Sequence, residues 1–315
     1  MDAFQLNEAH PRLKGINEFY RRELSPWLQE KEQDRLKARR EAMLIGGGAS
    51  ALIAVIVILA LNSSGERDLY WVAAFVTGIV GMFAAAWRFS RVQKSVKAFL
   101  LEKTCNFLEM DYRLEAPRAH LAAFESLQLL PRHTRSRVED EITGELDGID
   151  FHLMDAKLSR RSGKKNRTVF RGVLATFQVD QPFDGTTIVA RDKGWLGKLF
   201  AGSSDRFERL ELDDEAFERQ FDVYSDSPGD SRALLDRAMV ERLRSLSDSL
   251  GGGRLAVAFR ERQVLASVNR KKDLFEAGSM FQPLDDPRRV QAIVDDIGFA
   301  LSVAEALKLR ERVAA

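Results

Sequence analysis

The chain has 315 residues, with 48 Lys and Arg against 47 Asp and Glu and a formal net charge of +1. That balance gives no long-range field to steer nucleic acid, which calls for a strongly basic domain, so nucleic-acid binding is not expected. The single cysteine, Cys105, excludes an intramolecular disulfide and a Cys-rich zinc site, fits a reducing compartment and reads as a small buried hydrophobe.

Residues 1–41 read as a cytoplasmic N-terminal helical segment. Its apolar positions, Ile16, Phe19, Tyr20, Leu24, Trp27, Leu28 and Leu36, keep mostly helical spacing among many charges. The period is interrupted at Ser25-Pro26, because proline can start a helical segment but is strained inside one. Two apolar stretches follow, 42–61 and 69–87, neither containing Lys, Arg, Asp or Glu. At 1.5 Å per residue, about twenty residues span the roughly 30 Å hydrocarbon core. A buried hairpin in a soluble core is the competing reading, but such helices alternate apolar with polar positions. The predicted order is transmembrane helix 1 (42–61), a short extracytoplasmic loop (62–68) and transmembrane helix 2 (69–89).

Lys31, Arg35, Lys37, Arg39 and Arg40 precede the first span, and Arg88, Arg91, Lys94 and Lys97 follow the second. The loop has only Arg67 against Glu66 and Asp68. Basic residues stay on the cytoplasmic side during insertion, so both termini are expected in the cytoplasm. A signal peptide does not fit a first apolar run that starts so far into the chain with a second directly behind it, and no cleavage is expected. Gly46, Ser50 and Ala54 on the first span, and Thr77, Gly81 and Ala85 on the second, form small-residue rows that let backbones approach closely. They predict a hairpin packed on itself, with homo-oligomerisation as the alternative use. Neither span carries an ionisable group, which points to an anchor and away from a proton relay, ion path or voltage sensor. A juxtamembrane helix over 90–111 continues with Val92, Val96, Phe99, Leu100, Phe107 and Leu108. It is expected to pack against the N-terminal extension; the alternative is that one of the two lies flat on the lipid surface.

Residues 112–315 form the predicted cytoplasmic domain, large enough to bury its own core. A helix over 119–130 ends at Pro131. Strands are expected at 142–146, 149–158, 168–179, 186–190, 207–212 and 221–224, separated by Gly, Pro and Asp. A helix over 231–250 presents Leu235, Met239, Leu243, Leu246 and Leu250. Residues 254–269 read as a hairpin turning near Glu261. Asp286-Pro287, a cap residue followed by proline, starts a closing helix whose inner face is Val290, Ile293, Ile297, Leu301, Ala304 and Leu307. Long runs of strands with few helices predict a membrane helical hairpin plus an α+β domain, a mainly antiparallel sheet with flanking helices.

The order of two apolar spans, then 124–131 (FESLQLLP), 139–144 (EDEITG) and 169–173 (VFRGV), with 217–225 (FERQFDVYS) and 272–276 (KDLFE) further on, resembles a bacterial membrane-protein family known only as domain-of-unknown-function family three-one-three-seven. The resemblance implies a multi-pass protein of the bacterial inner membrane with a cytoplasmic domain. It brings no activity, cofactor or catalytic residue. Genes of such proteins neighbour those of LemA-like membrane proteins, which makes a LemA-like protein the partner that the resemblance implies.

Motifs of chemistry are absent: there is no GxxxxGK[ST], HExxH, GxSxG or Cys pair, and His10, His120, His133 and His152 are scattered along the chain. Gly251, Gly252 and Gly253 precede Arg254 and a strand, which fits a helix C-cap and not a nucleotide cradle. Ser162 and Lys165 have Ser-x-x-Lys spacing, but a lysine base needs desolvation and these lie in a solvated basic run. Asp213-Asp214, Asp285-Asp286 and Asp295-Asp296 are read as helix caps and solvated faces. No catalytic, cofactor-binding or metal-ligating residue is therefore expected, and no cofactor. Two loops remain as lipid or partner contacts: the basic tip with Arg160, Arg161, Lys164, Lys165 and Arg167, and the glycine-bracketed apolar loop with Trp195, Leu196, Leu199 and Phe200. The expected function is a non-enzymatic, membrane-anchored interaction or scaffold domain. A hydrolase-like enzyme of the membrane surface, its site assembled from distant residues, is the alternative.

Overall fold

A computed structural model describes residues 4–62, 67–163, 165–191, 207–250, 253–270, 274–276, 278 and 282–307. It divides into two compact units, Met1–Lys103 with Glu276–Ile293, and Thr104–Phe275 with Val294–Ala315.

The first unit is built on long helices. Helix α1 (Ile16–Phe19) passes through a π-helical turn (Tyr20–Leu24) into α2 (Ser25–Asn62), and α3 is Arg67–Phe107. Pro26 has no N–H for the preceding turn, and the wide turn directly before it absorbs the mismatch, so the chain continues as helix. Helices α2 and α3 are antiparallel: Trp27 stacks on Phe99 with ring centroids 3.6 Å apart, Ile53 Cδ1 lies 3.6 Å from where a Cβ on Gly78 would be, and Ala49 Cβ lies 2.9 Å from a Cβ on Gly81. The expected packing of the two extensions is therefore present at Trp27 and Phe99. Gly81 also sits at the helix contact as expected. The row expected on α2 does not: Gly46, Ser50 and Ala54 are exposed, and the residues that meet α3 are Ala49 and Ile53, one position before Ser50 and Ala54. The bulkier Ile53 packs against Gly78 of α3, so only one of the two helices has to be small there.

Among the described residues, one helix is long and apolar enough to cross a bilayer. It is the helical stretch Pro11–Asn62, whose most apolar window has a mean hydropathy of 2.6 and is 6% buried. The second apolar stretch among the described residues is the shorter Asp68–Ala84, so the expected second span over 69–89 is not reached by the same measure. Apart from Phe4, Leu36 and Leu114, every exposed large hydrophobic side chain among the described residues lies between Met43 and Trp87 on these two helices. Ser50 and Thr77 return their hydroxyls to the carbonyls of Gly46 and Ala73, at 2.8 Å each.

Beside the helix extensions, the first unit is closed by residues 282–293. Glu32 accepts from Arg35 at 2.8 and 2.6 Å and from the Leu284 N–H at 2.7 Å. The buried Arg289 donates to the carbonyls of Gln282 and Pro283 at 2.7 Å.

In the second unit, β1 (Asp111–Glu115), β2 (Arg135–Leu146), β3 (Ile149–Ser162), β4 (Lys165–Ala190), β5 (Glu208–Leu210), β6 (Asp222–Ser225) and β7 (Leu255–Asn269) form one seven-stranded sheet. Its order is β1-β2-β3-β4-β6-β5, with β7 also on β4, and all of these pairs are antiparallel. The α+β class expected from sequence is what the unit shows. The 26-residue β4 is its spine. It replaces the two strands expected at 168–179 and 186–190, because the polar stretch between them is a set of register shifts within one strand. Residues 254–269 likewise form no hairpin. Glu261, at φ 52°, bends a single strand whose two halves pair with the two halves of β4. Gly172 permits this approach: a Cβ there would lie 2.0 Å from the Val268 carbonyl oxygen.

Helices α4 (Leu121–Ser126), α5 (Glu215–Glu218), α6 (Pro228–Leu234), α7 (Arg237–Ser249) and the longer α8 (Pro287–Leu307) follow among the described residues. The single helix expected at 231–250 is two, since Asp236 is extended and caps the second through the Met239 N–H at 2.8 Å. The predicted inner face of α8 is buried throughout. Leu121 and Phe124 of α4 pack on the sheet with Val138, Met154, Ala156, Phe170 and Leu174. Cys105 is buried, which pushes its thiol up to about 12, the inert small hydrophobe expected.

Candidate functional site

The β2–β3 hairpin turns at Asp147-Gly148, both with positive φ, the conformation of a two-residue type I′ turn. Pairing from that turn sets Thr143 opposite His152 and Ile142 opposite Leu153. Past Ile142 the register shifts by one residue, and Asp140 has φ 53°, so β2 carries a bulge. The bulge sends two consecutive acids to opposite faces. Asp140 accepts the Tyr112 hydroxyl at 2.8 Å on one face. Burial first, then the Asp140 charge, pushes the Tyr112 phenol well above its ordinary value.

Glu141, on the other face, meets two imidazoles. Its Oε1 lies 2.6 Å from His152 Nε2 and 3.6 Å from His120 Nε2. His120 comes from the 3-10 turn Arg118–His120 that leads into α4, and its ring sits edge-on to that of His152 with centroids 4.4 Å apart. Glu141 is only 4% exposed, and its Oε2 has no hydrogen-bond partner; Arg113 Nη1 stands 3.9 Å away. His152 is half-buried and His120 exposed. Burial, then the neighbouring His120, holds the His152 imidazole below its ordinary value, and the bond to Glu141 opposes both. One donor atom from each of the three residues falls within 4.8 Å of the others. Two imidazole nitrogens and a carboxylate oxygen can share a proton or hold a first-row divalent ion. The scatter of histidines in sequence hid this grouping. The signal that finds it is Asp147-Gly148 read as a hairpin turn, which fixes the register that brings position 152 beside the acids.

The basic tip is the turn of the β3–β4 hairpin. Arg160, Arg161, Lys165 and Arg167 are exposed there, with Arg160 directly opposite Arg167 and Ser162 opposite Lys165. Like charges facing each other across strands are destabilising, so the tip is not arranged for stability. Exposure of both Ser162 and Lys165 removes the desolvation that a lysine base needs. Lys164 and the loop with Trp195, Leu196, Leu199 and Phe200 lie outside the described residues, as do Gly251 and Gly252. Asp214 caps the Phe217 N–H at 2.9 Å and Asp286 accepts from the Arg288 N–H at 3.0 Å, as the capping reading expects. Asp296 departs from it: it is buried, accepting from the Phe275 N–H at 2.8 Å and facing Arg270 at 3.4 Å. His133 stands apart from the cluster, 3.2 Å from Glu125.

Residues 168–309 match the family model described as "Protein of unknown function (DUF3137)". Of the stretches that carry the resemblance, 169–173, 217–225 and 272–276 fall inside this match, and 124–131 and 139–144 fall outside it. No curated protein matches the chain. Among solved structures, the crystal structure of the mycobacterial trehalose monomycolate transport factor A, TtfA, aligns at 12% identity with a TM-score of 0.37, covering 64% of this chain and 93% of that chain.

Proposed function

We propose that the chain is a membrane-anchored interaction protein: a two-span helical hairpin in the bacterial inner membrane, both termini cytoplasmic, carrying an α+β domain over 112–315 that docks a partner. The observation that supports the anchor is the outward apolar surface of α2 and α3. Water-soluble helices turn such side chains inward, whereas here Leu52, Val55, Ile58, Phe75, Val76 and Val80 are exposed while Gly78 and Gly81 of α3 face α2. The second uncharged stretch, 69–87, lies wholly within α3 and reaches about 28 Å at 1.5 Å per residue, close to the roughly 30 Å hydrocarbon core. Exposed Trp71 and Trp87 stand near its two ends, where interfacial aromatics sit. Basic residues on both flanks and their scarcity between the spans support the orientation.

For the domain, the absence of any motif of covalent or nucleotide chemistry supports docking over catalysis. Its basic tip suits acidic surfaces, including anionic lipid, and a LemA-like protein is the partner that the resemblance offers. The hydrolase-like alternative keeps one observation in its favour, the bonded Glu141–His152 pair beside His120. Reporter fusions test the anchor: a cytoplasm-active reporter at the C-terminus is expected to be active and an export-active one silent, with the chain resisting alkaline extraction from membranes. An active export reporter, or release by alkali, would overturn the reading.

A further inference from the structure

We propose that His120, Glu141 and His152 bind a divalent transition-metal ion, zinc being the one their donor set suits, with one coordination position open to solvent. A hydrogen bond between Glu141 and His152 explains two of the three side chains. It leaves the second imidazole without a reason to be there, and it leaves a buried carboxylate oxygen unsatisfied. Buried polar atoms without partners are rare, and an ion is one of the standing explanations for one. Glu141 is more than nine-tenths buried and its orphaned Oε2 belongs to the carboxylate that both imidazoles approach.

Distances fit as well. With metal–ligand bonds of 2.0–2.2 Å, neighbouring ligand atoms of a tetrahedral zinc site stand about 3.3 Å apart. His120 Nε2 and Glu141 Oε1 are already 3.6 Å apart, and the 2.6 Å contact to His152 has to open by less than 1 Å. Rotation of the Glu141 carboxylate supplies that movement: the ion replaces the hydrogen bond between Oε1 and His152, and Oε2 has no hydrogen bond to give up. The ligands come from three separate places, the Arg118–His120 turn, the bulge of β2 and β3. Binding therefore ties the start of α4 to the sheet. Three protein ligands leave the fourth position on the side of the exposed His120, open to water or an incoming ligand.

The test uses the full, tag-free chain in detergent, stripped of metal and titrated with Zn²⁺ and with Co²⁺ as the spectroscopic stand-in. One ion per chain is expected, with the visible bands of four-coordinate Co²⁺ and a rise in melting temperature on adding Zn²⁺. His120→Ala changes an exposed side chain and so keeps the fold; it is expected to weaken binding by more than about a hundredfold, beyond the roughly 10–100-fold typical of losing an outer-sphere partner alone. Glu141→Gln tests the carboxylate, with its metal-free melting curve showing whether it has folded. His133→Ala is expected to bind as the parent does. Binding that survives His120→Ala unchanged, or a parent chain that takes up no Co²⁺, would overturn the proposal.

Discussion

Replacing Glu32 by alanine removes three hydrogen bonds at once: two from the Arg35 guanidinium and one from the Leu284 N–H. It also takes the Glu32 charge from the Arg35 guanidinium, whose side chain is only 4% exposed. Breaking a buried pair by deleting one partner costs about 3–5 kcal/mol, and the nearby Asp285 charge, which also favours the Arg35 cation, places Glu32→Ala toward the lower end. The double variant Glu32→Leu with Arg35→Leu removes both charges and keeps apolar volume. Only the Leu284 N–H is then orphaned, at about 1–3 kcal/mol, so the double variant is expected to be more stable than the single one. Acid gives an independent readout. The Arg35 hydrogen bond holds the Glu32 carboxyl below its ordinary 4.5, so its contribution is fully present above that pH and is lost as pH falls through the lower folded value. Urea unfolding in detergent measures both effects, with hydrogen exchange at the Leu284 amide as the local probe. A single variant within about 1 kcal/mol of the parent, or a double variant less stable than the single, would refute the assignment of Glu32 as the clamp.

Two further outcomes follow from the helices and the hairpin tip. Gly81→Leu drives a side chain into Ala49 and is expected to destabilise the α2–α3 pair by about 1–3 kcal/mol, whereas Gly46→Leu meets nothing within 4 Å and leaves the pair intact; thermal melts of the two variants in the same detergent decide it, and equal loss in both would sink the offset contact. Charge reversal at Arg160, Arg161 and Arg167 in the full chain is expected to cost about 1 kcal/mol per residue in affinity for soluble anionic-lipid micelles at low salt; unchanged binding would remove the tip from the list of acidic contacts.

How far the fold could be read in advance depended on whether a signal was local. The apolar stretch of α2, the Asp286-Pro287 start of α8 and the inner face of that helix follow from composition, capping and periodicity, each decided within a few turns of chain. Strand boundaries were less legible. Residues 180–185 look like a loop, yet they lie where β4 shifts register, and Glu261 looks like a turn when it is the bend of one long strand. In both cases the deciding interaction is pairing with a strand some eighty residues away, which no window of sequence contains. The helix break at Leu235 was in principle visible, since Asp236 stands three residues before the N–H it caps. A continuous apolar period on both sides concealed it.

The same distinction governs the site. Glu139, Asp140 and Glu141 read as a charged run, and a run of acids is ordinarily a solvated face. Backbone geometry makes it otherwise: one extra residue in β2 turns Asp140 toward Tyr112 and Glu141 toward His152, so that two neighbouring acids are both nearly fully buried on opposite sides of one sheet. Burying two carboxylates next to each other costs several kcal/mol unless each is compensated. The Tyr112 hydroxyl compensates Asp140 on its face, and His152 compensates half of Glu141 on the other. What remains unmatched is the second oxygen of Glu141, with the Arg113 cation 3.9 Å away and another imidazole already close to the first oxygen. That unmatched oxygen and the two imidazoles beside it are the observation that the hydrolase-like reading keeps, and metal uptake by the chain is the property that tests the site.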